Sequence, residues 1–454
     1  MDLLVYDEKD VDALNAYHLY SYSNKSFYQE EVKYAIVIDA GSFGTRIHVY
    51  SLKYVNNAVH SLLDEVFVEI AKPLSAFAGR EHELEDAIFD RLLRVAKESI
   101  PSELYLSVPV SVKATAGLRL LSQESAEKIL ATVRSILAKW PFVPEKNSLE
   151  HAVSIIQGRD EGIWAWITLN FLLGKIGGLA DKSSHPEVKT AASMDLGGAS
   201  VQVVFEISPE EAHSLSSSSQ MVLSVVHFGG KAYHLFQNSF LRYGTNEARK
   251  RILKSEVESF RPCTSKSIID EDNSEDGPVL LKHRIDVVGC LRQVRRYLNL
   301  DIDCLHPTCF FAGIPSPSQI PFKNLNLFAF SNFQEKLHPF LHQTENAGEN
   351  FELSIEEIWK HVFLHCDNIV GEIKDDQSTF VLPRPPYLPL RDALRKMPNF
   401  CLDNVYIYSL LTDGFKILRS DFKINFVKKI NGIEVCWALG AAIKMIEEQS
   451  LFVK

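Results

Sequence analysis

No segment of the 454-residue chain approaches the ~20 continuous apolar residues that a membrane-spanning helix needs. The first cysteine is Cys263 and no Cys-x-x-Cys occurs, which removes the usual spacing of a zinc or dithiol redox site. Neither G-x-x-x-x-G-K-[ST] nor G-x-G-x-x-G is present, so the standard phosphate-cradling loops are missing. Basic residues are in deficit, 48 Lys and Arg against 58 Asp and Glu, a formal net charge of −10. That balance excludes an extended nucleic-acid surface or a polybasic membrane patch, and an anionic ligand must be held by local geometry instead.

With 46% hydrophobic and 23% charged residues the composition is that of a globular protein, and at this length a single core has stopped growing, so two lobes are expected. The first 30 residues carry acids early and have no apolar run ending in small residues. They read as a poorly specified N-terminal extension, not as a signal peptide. Seven cysteines, Cys263, Cys290, Cys304, Cys309, Cys366, Cys401 and Cys436, crowd the second half. They are consistent with reduced buried thiols or with a small disulfide loop closed by Cys304 and Cys309, and composition does not choose between these.

The strongest pattern is an internal echo. YAIVIDAGSFGTRIHVYSL (Tyr34 to Leu52) and TAASMDLGGASVQVVFEI (Thr190 to Ile207) share one plan: an apolar strand ending in Asp, a small-residue turn, and an alternating second strand. Ile70 to Phe77 and Val108 to Thr115 also read as strands, with a helix from about Glu83 to Ser99 between them. A helix capped by Ser122 follows, with Ile129, Val133, Ile136, Leu137 and Trp140 on its apolar face. EGIWAWITLNFLLG is apolar nearly all round and reads as a core helix. Further helices are expected near Asn246 to Phe260, Gly289 to Leu298 and Ser354 to Ile373, and after NGIEVCWALGAA at the end. The segments 208–220 and 268–277 read as solvated loops.

Each hairpin tip offers chemistry. Asp39 is followed by Ser42, Phe43, Gly44, Thr45 and Arg46, and Asp195 by Gly197, Gly198, Ala199, Ser200 and Gln202. Backbone N–H groups of two such tips can face one anion, Arg46 supplies a planar cation suited to phosphate, and two strand-end carboxylates suit a hard divalent ion. One such hairpin alone is an ordinary tight turn; the matched pair is the signal. KATAGLR, with Thr115 and Arg119, and GRDEG, with Glu161 at a helix start, add an anion contact and a carboxylate able to serve as a general base.

DAGSFGTR (Asp39 to Arg46), KATAGLR (Lys113 to Arg119), GRDEGIWAW (Gly158 to Trp166), DLGGASVQ (Asp195 to Gln202) and CWALGAA (Cys436 to Ala442), in this order, closely resemble the five signature segments of the apyrase family, the nucleoside tri- and diphosphate diphosphohydrolases. KPLSAF, NSFLRYG, FAFSNF and LLTDGF resemble its soluble secretory-pathway branch, which prefers UDP and GDP. The resemblance implies an α/β, two-lobed actin-like fold of duplicated ribonuclease-H-like domains with the site in the interlobe cleft. It divides the chain into the extension 1–30, lobe I at 31–157 plus 425–454, and lobe II at 158–424.

Carried over residue by residue, the resemblance makes Glu161 the catalytic base. Ser200 and Gln202 become its partners in holding the attacking water, and Asp39 and Asp195 the anchors of Ca²⁺ or Mg²⁺ through water. Ser42 to Arg46 and Gly197 to Ala199 become the phosphate clamps, with Thr115 close by. Phe333 and Trp437 are offered for stacking on the nucleoside. It also implies the pairs Cys263–Cys290, Cys304–Cys309 and Cys366–Cys401, with Cys436 free, and a lumenal or secreted location. The expected substrate is a nucleoside di- or triphosphate. The chain departs from the pattern at Phe43, where Ser or Thr is usual, which favours diphosphates. Two alternatives are kept: another phosphotransferase of the same fold, such as a kinase or polyphosphatase, and a nucleotide-binding module without turnover.

Overall fold

The computed structural model describes residues 30–452 apart from 57, 178–188, 217–219, 258, 265–284, 318–321, 323, 342–347, 368–396, 398 and 419–420. The expected loop at 268–277, the tail of the helix read to Ile373 and all but Glu30 of the N-terminal extension lie outside the described residues.

Two mixed sheets dominate. The first contains β1 (Glu30–Ala40), β2 (Thr45–Val55), β3 (Ala58–Ile70), β4 (Pro109–Ala114), β5 (Val143–Pro144) and β6 (Val153–Ile155). Its order is β3-β2-β1-β4-β5, with β6 also beside β4. The second contains β7 (Ala192–Leu196), β8 (Ser200–Glu206), β9 (Leu223–Phe228), β10 (Lys231–Leu241), β11 (Leu327–Ser331), β12 (Phe351–Ser354) and β13 (Lys423–Phe426), in the order β12-β13-β11-β7-β8-β10-β9. In each sheet a strand and its hairpin partner are antiparallel, a third strand extends the meander, and the first strand pairs on its other side with a parallel strand. β10-β8-β7-β11-β13 thus repeats β3-β2-β1-β4-β5, and the echo in the sequence is a duplicated unit in space. The chain is a two-lobed α/β protein of actin-like architecture.

The strand period of two decides what faces what. On β1, Ile36 and Ile38 pack outward with the helices Asp90–Ser99 and Gln123–Leu137, whereas Ala35 and Val37 face a central layer. On the second sheet Met194, Val201 and Val203 pack outward, while Ala191 and Val204 face the same central layer. That layer holds two helices, Gly158–Leu172 and Trp437–Phe452. They touch closely: the Gly440 N–H donates to Thr168 Oγ1 at 2.8 Å. No helix among the described residues is long and apolar enough to cross a membrane.

Several local expectations change. Ile70 to Phe77 is not a strand: β3 ends at Ile70, Pro73 lacks the N–H to continue a ladder, and Leu74–Phe77 forms a 3₁₀ turn. Within 208–220, Pro209–Ser216 is helical. There the Ser208 hydroxyl accepts from the Glu211 N–H at 3.2 Å while the Glu211 carboxylate accepts from the Ser208 N–H at 3.0 Å, and Leu215 is buried. The helix begun at Ser122 is capped as expected, its hydroxyl accepting from the Ser125 N–H. Trp140 lies beyond that helix's last residue, Leu137, and is half-buried.

Candidate active site

Asp39 follows Val37 by two residues on β1, and Asp195 on β7 stands in the same phase as Ala191, the residue just before that strand, so both carboxylates face the central layer. Their registers match: Asp39 pairs with Arg46, and Asp195 with Gln202. The turns match too, since the Gly41 N–H donates to Gly44 O and the Gly197 N–H to Ser200 O, each at 2.9 Å. Glu161 enters the same space from the first turn of the helix Gly158–Leu172.

These three carboxylates are each about 7% exposed. Asp39 Oδ2 accepts from Arg46 Nη1 at 3.3 Å, and Arg46 Nη2 also pairs with Glu69 Oε1 at 2.8 Å. Asp39 Oδ1 is buried and meets no hydrogen-bond donor. Glu161 is ion-paired with Arg119 Nη2. Burial raises the Asp39 carboxyl above the usual range, against the pull of Arg46 and His48. Burial likewise raises Glu161, opposed by Arg119. Asp195 is pushed up to about 7, first by burial and then by the charge of Glu161, with a hydrogen bond from Ser331 opposing. Negative charge in this pocket exceeds its protein counter-charge, an arrangement that an added cation relieves.

Ser200 and Gln202 are coupled. Gln202 Nε2 donates to Ser200 Oγ at 2.7 Å and to Ser239 Oγ at 3.0 Å, and its Oε1 is buried with no donor. The second tip is tied back by its carbonyls: Gly197 O accepts from the Thr245 N–H at 3.0 Å and Gly198 O from the Asn246 N–H at 2.8 Å, at the start of the helix Thr245–Ser255. Because peptide planes set C=O and N–H antiparallel, the N–H groups of Gly198 and Ala199 point away from that helix. The two tips meet. A Cβ on Gly198 would lie 2.6 Å from Phe43 Cε2 and 3.0 Å from Ser42 Cβ, so any side chain there would have to displace the ring. Phe43 is 38% exposed and does not enter the core of its own lobe. Thr115, buried, donates its N–H to Ala40 O, and the next turn brings Gly117 against Ser42.

Two sequence-derived residues, Thr45 and Phe333, sit elsewhere than expected, and a third, Trp437, borders the site by its N–H and not by an open ring face. Thr45 is fully buried and its hydroxyl donates to Lys72 O at 2.9 Å, so its side chain braces the hairpin instead of reaching the tip. Phe333 is fully buried in the outer core of the second sheet and offers no face to a base. Trp437 is 3% exposed and packs on Trp164, ring centroids 5.9 Å apart, and its indole N–H faces the Asp39 carboxyl as a hydrogen-bond donor that opposes the effect of burial there. Phe333 serves the core because the helix that carries it is covered. Two further residues, Ser239 and Ser331, join the site without being marked in the sequence. Ser239 carries no chemical signal within NSFLRYG. Ser331 is the last residue of β11, at φ 58°, one position after Phe330, which pairs with Asp195. The sequence suits Arg119 to an anion contact, and its pairing with Glu161 depends on a fold contact that spacing does not reveal.

The described cysteines form three disulfides, Cys263–Cys290, Cys304–Cys309 and Cys366–Cys401, with Cα separations of 4.7, 5.8 and 5.5 Å. Cys436 is the free thiol, its Sγ 4.0 Å from His48 Nε2.

Residues 25–453 match the model of the GDA1/CD39 (nucleoside phosphatase) family. The guanosine-diphosphatase of Saccharomyces cerevisiae is 33% identical over 455 residues, covering 92% of this chain and 81% of that protein. The nucleoside diphosphate phosphatase ENTPD5 of Homo sapiens is 30% identical over 437 residues, covering 91% and 87%. Among solved structures, nucleoside triphosphate hydrolases from Neospora caninum superpose with a TM-score of 0.59 at 15% identity, covering 98% of this chain and 97% of that one. That likeness is one of fold.

Proposed function

Because this chain belongs to the GDA1/CD39 family of nucleoside phosphatases, we propose that it is a hydrolase of phosphoric anhydrides that removes the terminal phosphate of nucleoside diphosphates, GDP and UDP foremost, with the aid of a divalent cation. The observation that carries this reading is the meeting of Glu161 with Asp39 and Asp195 between two matched small-residue tips.

In this reading the anionic end of the substrate lies between the tips, held by backbone N–H groups of Ser42 to Gly44 and Gly197 to Ala199. Arg46, anchored by Asp39 and Glu69, keeps a planar cation at the first tip. Glu161 accepts a proton from water as the water oxygen bonds to the terminal phosphorus and the bridging P–O bond breaks, leaving nucleoside monophosphate and inorganic phosphate. The Ser200 hydroxyl is free to donate to the water's oxygen, and Gln202, its Nε2 spent on Ser200 and Ser239, accepts a hydrogen of the water at Oε1. Burial favours the base role, since it raises Glu161 towards neutral pH, where proton transfer from water is better matched.

The residues present fit a hard cation: the orphaned Oδ1 of Asp39 and the buried Asp195 are oxygen donors in a pocket rich in negative charge. An ion held there by two carboxylates would keep several of its waters and take phosphate oxygens. Bound there, Ca²⁺ or Mg²⁺ would neutralise phosphate charge as a Lewis acid. Three disulfides support work in an oxidising compartment, the lumen of the secretory pathway or outside the cell. A phosphate-release assay across GDP, UDP, ADP, IDP and the triphosphates, with Ca²⁺, Mg²⁺ or EDTA, tests the reading. Release from GDP or UDP that EDTA abolishes is expected; release that is indifferent to chelation, or confined to non-nucleotide substrates, contradicts it.

A further inference from the structure

Arg119 belongs to the short helix Ala116–Arg119 that follows β4, and its guanidinium reaches Glu161 on another element. The pair is withdrawn from solvent, the side chains being 14% and 9% exposed. Glu161 is the side-chain partner of Arg119 among the described residues, and Arg119 Nε is buried with no acceptor. An arginine held at one end alone is dedicated to the group at that end. Room for it is built in: a Cβ on Gly158 would lie 3.0 Å from Arg119 Nη1 and 2.1 Å from Ser239 Oγ, so the helix that carries Glu161 must begin with a residue lacking a side chain. Desolvation offsets most of the stability a buried ion pair could add, so stability alone does not account for this one. What a planar guanidinium does supply is direction.

We propose that Arg119 is a positioning residue for Glu161, holding its carboxylate in one orientation beside Asp39 and Asp195 so that the base meets the attacking water already aimed. The proposal rests on Glu161 being the base. Arg119 touches neither substrate nor water; it acts through the carboxylate. Its loss therefore falls on kcat and leaves KM nearly alone, and it costs nothing further once Glu161 cannot accept a proton.

The test compares Arg119→Met, Arg119→Lys, Glu161→Gln and the double variant Arg119→Met/Glu161→Gln, with GDP as substrate and melting temperature as a check on folding. Expected are a kcat lowered by roughly 30- to 100-fold in Arg119→Met with KM within about 3-fold of the parent, about ten-fold recovery in Arg119→Lys, and a double variant no slower than Glu161→Gln. A rise in KM as the main effect, or losses that multiply in the double variant, overturns the proposal, because Arg119 would then hold substrate independently of Glu161. Near-normal kcat in Glu161→Gln overturns the base assignment and this proposal with it, a result separate from multiplying losses on a crippled Glu161→Gln background. Should Arg119→Met fail to fold, Arg119→Lys decides: lowered kcat at unchanged KM supports positioning, and raised KM at unchanged kcat opposes it.

Discussion

The ring of Phe43, at the tip of the first hairpin, lies against Gly198 at the tip of the second, with Cε2 2.6 Å from where a Cβ on residue 198 would stand. A phenyl ring cannot donate a hydrogen bond and keeps water from the space it fills, whereas a hydroxyl there would face the phosphates. Phe43→Ser is expected to raise kcat/KM for GTP or UTP relative to GDP or UDP. A hydrogen bond to a charged group is worth about 1.5 to 3 kcal/mol, so the tri-to-diphosphate ratio should move by roughly ten-fold or more. Gly198→Ala alone should impair activity through the clash with the ring, and part of that loss should disappear in the Phe43→Ser background. An unchanged ratio together with additive losses would discard the idea that this contact selects substrate.

The cysteine pattern predicts a thiol count. Under denaturing, non-reducing alkylation a folded sample from a secretory host should show one free thiol, Cys436, of the seven cysteines, and peptide mapping should join Cys304 to Cys309. In the folded protein Cys436 should react slowly, because burial pushes its thiol well above the ordinary range and the thiolate is the reactive form. Seven alkylatable thiols in an active preparation would contradict the disulfide pattern.

The cap of the helix Ile355–Cys366 predicts an acid-sensitive increment of stability. Glu357 is pushed down to about 2, first by Lys423 and then by the Ser354 N–H. Its folded value is depressed below the unfolded value of about 4.3, so its contribution is present above that pH and is lost as pH falls towards 2. Screening at this half-exposed carboxylate limits the effect to roughly 1 kcal/mol or less. Glu357→Gln should lower the melting temperature by about 1 to 2 °C at neutral pH, and that difference should close near pH 2. A difference constant from pH 7 to pH 2 would contradict the assignment.

The duplicated hairpins were legible because strand period, terminal Asp and small-residue turn recur in both copies, and the two Asp positions fall in the same register. The core helix Gly158–Leu172 was legible from its all-round apolarity. What escaped the sequence depends on neighbours far along the chain. Phe333 and Trp437 look equally suited to stacking or to packing until the helices above them are in place. Thr45 looks like a tip donor until Lys72 O arrives beneath it from the end of β3. β3 was hidden by its mixed composition, and the helix Pro209–Ser216 by serines that also make caps.

The most direct measurement for the account as a whole is steady-state hydrolysis of GDP by Glu161→Gln beside the parent protein, with nucleotide binding measured on the same samples. The account predicts a kcat lowered by at least ~10²-fold, the scale of a lost general base, with nucleotide affinity and melting temperature close to the parent. Turnover near the parent's, in a variant that folds and binds, would contradict it.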